Sequence, residues 1–328
     1  MQEMAQQIHL HLTSRAQRVV VVPHKNPDGD TLGAAVAFLH YLRGSGINAT
    51  LWCKTGATTA LTFLPHAHDL RSDPAIWTDM QFDTVCVFDA GDIAFAGALE
   101  PLNSLAKQPT IINFDHHLTN TRFGIYNFVD TSAASTTEVL YNYFTANKIT
   151  IDSETATALL TGLMTDTGNF SNPATSESAL RVGAELMRSG GNYAAILNYT
   201  YRNKSTDALK LWGIALSRLI IKKELDLAYT VLLRSDMEGL RVTDGDIEGV
   251  ANFLNSIGDT KISMVLKETQ DGLVKGSLRT TANDVDVAAI AGGFGGGGHK
   301  KASGFSIRGK LEFRESDWHI VDAAPKIN

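Results

Sequence analysis

Residues 19–33 read Val-Val-Val-Val-Pro-His-Lys-Asn-Pro-Asp-Gly-Asp-Thr-Leu-Gly, and this stretch decides the fold. Four β-branched residues, Val19 to Val22, predict a buried strand; the polar loop His24 to Asp30 ends it. From Thr31 to Arg43, apolar residues recur at helical spacing through Leu32, Val36 and Leu39, and Gly44 and Gly46 close the helix. The rhythm repeats across residues 18–150. Strands are expected at Ala49–Cys53, Thr84–Phe88 and Thr110–Phe114, and helices at about Ser135–Ala146, Ser153–Thr165 and Ser176–Arg188. Strands alternating with helices predict an α/β fold built on a parallel sheet covered by helices.

The chain has 328 residues, enough for about two domains. Hydrophobic residues make up 44% and charged residues 20%, which excludes a disordered chain and a fibre. With 29 Lys and Arg against 35 Asp and Glu, the net charge of −6 argues against a broad basic face gripping long nucleic acid. Cys53 and Cys86 each lie in an apolar strand and read as buried thiols, so no disulfide framework is expected. No run approaches a membrane span, and the first residues lack the apolar core of a signal peptide; cytoplasmic residence is the expectation.

Ligands of open parallel sheets collect outside the carboxyl ends of the strands. Three successive strand ends here deliver His24 with Asp28 and Asp30, then Asp89, then Asp115, His116 and His117. Each piece alone has a plain explanation: Asp28 and Asp30 as turn and cap residues, Asp89 opening a turn before Gly91, the histidines as loop. Together, imidazoles and carboxylates at matched strand ends predict a divalent-metal site. Asp166 joins them, because it sits where a helix is ending, an unfavourable place for a carboxylate unless it faces a cation. Ser135 and Thr136, opening a helix, either offer hydroxyls and amides to a phosphate or simply cap it. His9, His11, His40, His66, His68 and His319 have no matched pattern and read as surface or packing residues.

Beyond a linker placed at about 188–210, strands are expected at Leu227–Leu233, Lys261–Glu268 and Leu273–Arg279, around a helix near Gly245–Ile257. This is a smaller α+β domain. Its low-complexity run, residues 292–298, gives Gly296, Gly297 and Gly298 a backbone that a phosphate or base can approach closely. His299 beside it can stack or hydrogen-bond, and Arg279 at a strand end can fork onto a phosphate.

The chain resembles the DHH/DHHA1 phosphoesterase family in four blocks: HKNPDGDTLG at 24–33, VCVFDAGD at 85–92, INFDHHLTN at 112–120 and LLTGLMTDTGNF at 159–170. A fifth, GGGGHKKASG at 295–304, is similar to the glycine-rich signature of the DHHA1 domain and includes Ser303. Ala34 departs from the family's usual Ser, outside the ligand set. The resemblance implies a DHH catalytic domain over 1–188, a helical linker over 189–210 and a DHHA1 substrate-binding domain over 211–328. It implies that His24 and Asp28 bind one metal ion, that Asp30, His116 and Asp166 bind a second, and that Asp89 bridges them. His117 is then the residue at the scissile phosphate, Asp115 orients a neighbouring imidazole, and Arg279, Gly296, Gly297, Gly298, His299 and Ser303 hold substrate across a cleft from the metals.

Four carboxylates in a small volume repel one another, and two divalent cations resolve that conflict. Mn²⁺ suits the mixed nitrogen and oxygen set, with Mg²⁺ or Co²⁺ as alternatives. The activity implied is hydrolysis of very short RNA and of 3′-phosphoadenosine 5′-phosphate. The alternatives are a phosphodiesterase for cyclic or linear dinucleotides such as cyclic di-AMP and pApA, and a catalytically silent nucleotide-binding regulatory module. A pyrophosphatase is disfavoured by the GGGGH block, and a long-strand exonuclease by the lack of an added nucleic-acid-binding domain. The partners expected are short RNA or a small nucleotide, with no long nucleic acid and no membrane, and a homodimer is left open.

Overall fold

The structure is a computed structural model that describes residues 1–57, 59–202 and 204–322. The chain divides into two compact units, Met1–Asn203 and Lys204–Asn328. In the first, helix α1 (Gln2–Ser14) precedes β1 (Arg18–Pro23), α2 (Gly29–Gly44), β2 (Asn48–Leu51), α3 (Ala75–Met80), β3 (Thr84–Phe88), α4 (Leu99–Asn103), β4 (Thr110–Asp115) and β5 (Tyr126–Val129). Helices α5 (Thr136–Ala146), α6 (Ser153–Asp166), α7 (Glu177–Arg188) and α8 (Tyr193–Ile196) complete it. The sheet is parallel throughout, in the order β2-β1-β3-β4-β5.

Because side chains alternate across a strand, β1 feeds two cores. Val19 and Val21 join Cys86, Phe88, Ile112 and Phe114 under α1, α2, α5 and α6, whereas Val20 and Val22 join Val85, Val87, Trp52 and Trp77 on the other face. Burial on both faces explains the unbroken valine run. The register then fixes the site. Pro23 pairs with Phe88 and Phe88 with Phe114, so His24, Asp89 and Asp115 lie at the same level of the sheet's carboxyl edge. The Phe88 and Phe114 rings stack 5.1 Å apart below that edge, against Phe38 of α2. Both cysteines are buried and free.

Helices α2 and α6 approach closely at two glycines of α2. A Cβ on Gly33 would lie 2.5 Å from the Ala158 carbonyl oxygen, and one on Gly29 would meet the Thr165 hydroxyl. The division between the units falls within the segment read as a linker. Ile196 is buried in the first unit's core, the Tyr201 hydroxyl donates to the Met164 carbonyl at 2.7 Å, and Tyr199 stacks on Phe63.

The second unit opens with α9 (Thr206–Ser217), which packs Leu211 and Ala215 on Val250 and Leu254. It continues through β6 (Ile220–Lys222), β7 (Leu227–Leu232), α10 (Asp244–Leu254), β8 (Ile262–Glu268), β9 (Leu273–Arg279), α11 (Val287–Gly293), β10 (Gly297–His299) and β11 (Ala302–Arg308). These strands form a mixed sheet in the order β10-β11-β9-β8-β7-β6, and β12 (Lys310–Arg314) and β13 (Asp317–Val321) form a separate hairpin. Among the described residues no helix is long and apolar enough to cross a membrane.

Candidate metal centre

Thr31 anchors the first loop to the sheet: its hydroxyl accepts from the His24 amide at 3.0 Å and donates to the Phe88 carbonyl at 3.0 Å. Asp28 works at both of its oxygens. Oδ1 caps α2 by accepting from the amides of Asp30 at 3.0 Å and Thr31 at 3.1 Å, and Oδ2 lies 3.8 Å from His24 Nε2. The cap reading and the ligand reading of Asp28 are therefore compatible.

Asp89 stands at the centre, 3% exposed, in the left-handed region at φ 58°. Aspartate tolerates that conformation better than most residues, and such backbone is concentrated at functional sites. One carboxylate oxygen, Oδ2, lies 3.4 Å from His24 Nε2; the other, Oδ1, lies 3.6 Å from both His116 Nε2 and His117 Nδ1. Asp166, the last residue of α6, brings Oδ2 to 3.4 Å from His116 Nε2. The donor atoms of His24, Asp28 and Asp89 fall within 4.8 Å of one another, as do those of Asp30, His116 and Asp166, and those of Asp89, His116 and His117.

The tautomers suit metal ligation. His24 Nδ1 is 2.9 Å from the Lys25 carbonyl and His116 Nδ1 is 3.3 Å from the Ala133 carbonyl. An N–H donated there leaves each Nε2 lone pair directed at the carboxylates, the outer support usual for metal-binding histidines. His117 differs: Asp115 Oδ1 accepts from its Nδ1 at 2.7 Å, while Asn120 Nδ2 donates to Asp115 Oδ2 at 2.5 Å and to the Ala90 carbonyl at 3.1 Å.

The charge balance tests whether cations fit. Every ion pair shown to Asp28, Asp30, Asp89 or Asp166 among the described residues is with a histidine. Burial, and then repulsion by Asp89 and Asp28, pushes Asp30 well above the usual carboxylate range. Burial and the charges of Asp30, Asp89 and Asp28 do the same to Asp166. His24 is raised as well: burial disfavours its imidazolium, but Asp28 and Asp89 outweigh this and raise it to about 10. A site that draws protons onto buried carboxylates and imidazole, with lone-pair donors at suitable spacing, fits divalent ions.

Helix α5 contributes Thr136, in a role other than the two expected of it, and Thr137, which the sequence did not single out. Thr136 donates its amide to Asp30 Oδ2 at 2.6 Å and its hydroxyl to Asp89 Oδ1 at 2.8 Å; the Thr137 amide and hydroxyl reach Asp30 Oδ1 at 2.9 and 2.8 Å. Ser135 is the N-cap, accepting from the Glu138 amide at 3.1 Å. The alternative reading of Ser135 and Thr136 as a phosphate cradle is thereby corrected: both are buried, and the helix amides already hold the Asp30 carboxylate.

In the second unit, Lys267, Lys275, Ser277, Arg279, Gly297, Gly298 and Ser303 line a groove of about 400 Å³. Alternation along β9 puts Lys275, Ser277 and Arg279 on one face, and the two lysines had no motif to single them out. Arg279 Nε donates to Asn252 Oδ1 at 3.1 Å. The glycines answer chiefly to β11. A Cβ on Gly298, at φ 142°, would lie 2.7 Å from the Ala302 carbonyl oxygen, and one on Gly296 would collide with the Gly304 carbonyl. Ser303 turns its hydroxyl inward onto the Val287 carbonyl at 2.6 Å. The backbone of His299 belongs to β10; its side chain lies outside the described residues.

Comparison with known proteins follows the same two-part division. The DHH family N-terminal domain matches residues 18–163 and the DHHA1 domain residues 225–317. A protein of Thermus thermophilus named bifunctional oligoribonuclease and PAP phosphatase NrnA is 30% identical over 305 residues, covering 93% of this chain and 88% of its own. A like-named protein of Mycoplasma genitalium is 26% identical over 316 residues, with 94% of each chain covered. The crystal structure of an exopolyphosphatase-related protein from Bacteroides fragilis is 25% identical, with a TM-score of 0.85 over 94% of this chain and 92% of that one.

Proposed function

This chain belongs to the DHH family, with a DHHA1 domain following, and on that premise we propose that it hydrolyses very short oligoribonucleotides and removes the 3′-phosphate of 3′-phosphoadenosine 5′-phosphate. The observation that carries the reading is the split orientation of Asp89, whose two oxygens face His24 on one side and His116 with His117 on the other. A carboxylate so placed suits a bridge between two ions. His24 and Asp28 would hold one and Asp30, His116 and Asp166 the other, and Mn²⁺ would match the mixed donor set. When bound, the pair supplies Lewis acidity and neutralises charge during in-line displacement at phosphorus.

The chain's own groups do the rest. Thr136 and Thr137 fix the carboxylates of Asp89 and Asp30, so the ligand atoms do not have to be ordered during turnover. His117, whose hydrogen bond to Asp115 raises it to about 9, is held ready to give a proton to the leaving oxygen. Lys267, Lys275 and Arg279 offer positive charge to the remaining phosphate groups of a nucleotide. Short substrates fit the net charge of −6 and the absence of a Lys/Arg-rich run.

Steady-state kinetics with Mn²⁺ on 5′-labelled RNAs of two to twenty-four nucleotides, beside 3′-phosphoadenosine 5′-phosphate and cyclic and linear di-AMP, test the proposal. Expected are the highest kcat/KM on dinucleotides, a steep fall with length, and release of the 3′-phosphate. Comparable kcat/KM for dimer and 24-mer would indicate a processive exonuclease instead, and no metal-dependent turnover of any phosphodiester would leave a silent binding module.

A further inference from the structure

Away from Asp30 and Asp166, the same two helices bring together groups that hydrolysis does not use. His40 lies near the C-terminal end of α2, His66 precedes the short helical turn Ala67–Asp69, and Glu154 lies in the first turn of α6. His40 Nδ1 is 3.1 Å from His66 Nε2 and 3.5 Å from Glu154 Oε2, and His66 Nε2 is 3.9 Å from that same oxygen. Three donor atoms thus form one triangle. A tetrahedral Zn²⁺ with bonds of about 2.0–2.2 Å sets its ligand atoms roughly 3.3–3.5 Å apart, and the observed sides straddle that spacing.

The outer nitrogens are supported as in a built metal site. His40 Nε2 lies 2.8 Å from Asp152 Oδ2, and a proton shared there leaves the Nδ1 lone pair facing the triangle. His66 Nδ1 lies 3.5 Å from Asp69 Oδ2, which Arg43 holds at 2.5 Å. His66 itself is in the left-handed region at φ 61°, which histidine enters more readily than most residues.

We propose that His40 Nδ1, His66 Nε2 and Glu154 Oε2 bind Zn²⁺, with a fourth position open to water. The site is separate from the catalytic cluster: His40 is ten residues from Asp30, about 15 Å along the helix, and Glu154 is twelve residues from Asp166, about 18 Å. The ion ties α2, the segment before Ala67 and α6 to one another, and stabilises the fold through its preference for the native state. The competing arrangement is a chain of hydrogen bonds without an ion, since Arg43 Nη1 also lies 3.3 Å from His66 Nδ1.

Full-length protein, stripped of metal and reloaded with Zn²⁺, is passed through gel filtration and its retained zinc counted in wild type, His40→Ala, His66→Ala and Glu154→Gln. The expected result is one equivalent fewer in the histidine variants, with Mn²⁺-dependent hydrolysis unchanged in His66→Ala. Co²⁺ in place of zinc should give tetrahedral visible absorption that survives Asp89→Ala and disappears in His66→Ala. Asp152→Asn should weaken zinc binding about 10–100-fold, whereas His68→Ala, whose ring is exposed and faces Asp69, should leave the count unchanged. Equal zinc in wild type and in all three ligand variants would overturn the site in favour of the hydrogen-bonded chain. Should His66→Ala fail to fold, a Glu154→Gln protein binding zinc as tightly as wild type would overturn it as well.

Discussion

Gly162 lies against the Asp30 carboxylate so closely that a Cβ on the glycine would stand 2.6 Å from Asp30 Oδ1. The gap is filled from a third side by Thr137, which donates to the same oxygen at 2.8 Å. With Gly33 pressed on the Ala158 carbonyl, the contact lets α2 and α6 approach closely enough for the first turn of one and the last residue of the other to supply Asp30 and Asp166 to one cluster.

Gly162→Ala is expected to push Asp30 out of line. A displacement near 1 Å at a catalytic group costs about 10²-fold in rate, and overpacking costs roughly 1–3 kcal/mol of stability. Measured kcat with saturating Mn²⁺ should fall by about that factor, with a Tm lowered by several degrees. Wild-type kcat in a folded Gly162→Ala protein would show that Asp30 is not needed where it stands.

Asp89→Ala removes the carboxylate that faces both histidine groups and puts alanine at φ 58°, where a β-carbon is strained. Turnover should fall by about 10³-fold or more, a barrier increase of roughly 4 kcal/mol. Asp89→Asn separates the two effects, because asparagine tolerates the left-handed backbone. It should keep the Tm of the metal-free protein or raise it, yet lose most activity; more than a tenth of wild-type kcat in either variant would count against a bridging role.

The sheet and the convergence of Asp and His at its carboxyl edge were legible in sequence because both rest on local patterns: valine runs, loop polarity, and Asp and His where each strand ends. What escaped reading depended on distance. The amide and hydroxyl of Thr136 were expected to meet a phosphate or a helix end, and Thr137 was unremarkable in sequence; only folding brings both to Asp30, more than a hundred residues earlier. The close packing of Gly29 on Thr165 and of Gly33 on Ala158 and Gly162 was not read from the sequence, because it pairs residues of two helices more than a hundred positions apart. Strand β5, with Tyr126 and Asn127 half-exposed at the sheet's edge, lacked the apolar run of its neighbours. Lys275 shares a face of β9 with Arg279, and Lys267, on β8, joins them only through the pairing of the two strands, which sets it opposite Lys275.

Lys275→Ala should separate binding from chemistry. The residue lines the groove of the second unit, whereas the Asp89 cluster is built by residues of the first, so its loss should raise KM for dinucleotides about tenfold, the effect of one charge-assisted contact of roughly 1.4 kcal/mol. Bis-p-nitrophenyl phosphate, which has no nucleotide to hold, should be cleaved at the wild-type rate. Equal losses on both substrates would mean that the groove does not read the nucleotide.

Metal removal should expose the repulsion built into the cluster, with a definite dependence on pH. Folding raises the pKa of Asp30 and Asp166, so between the unfolded and folded values the native state binds more protons than the unfolded chain. The metal-free protein therefore loses stability as pH rises through that interval and keeps the deficit above it. Asp28, drawn down by His24 against the effect of its burial, opposes the trend, but its side chain is the more exposed. Bound cations replace the protons, so the difference in Tm between Mn²⁺-loaded and chelated protein should widen from mildly acid to neutral pH. Asp166→Asn gives the sharper check. It should raise the Tm of the chelated protein, by removing a buried repelling charge, and shrink the gain produced by Mn²⁺. A variant that lowers Tm equally with and without the metal would show that Asp166 serves the fold through packing alone.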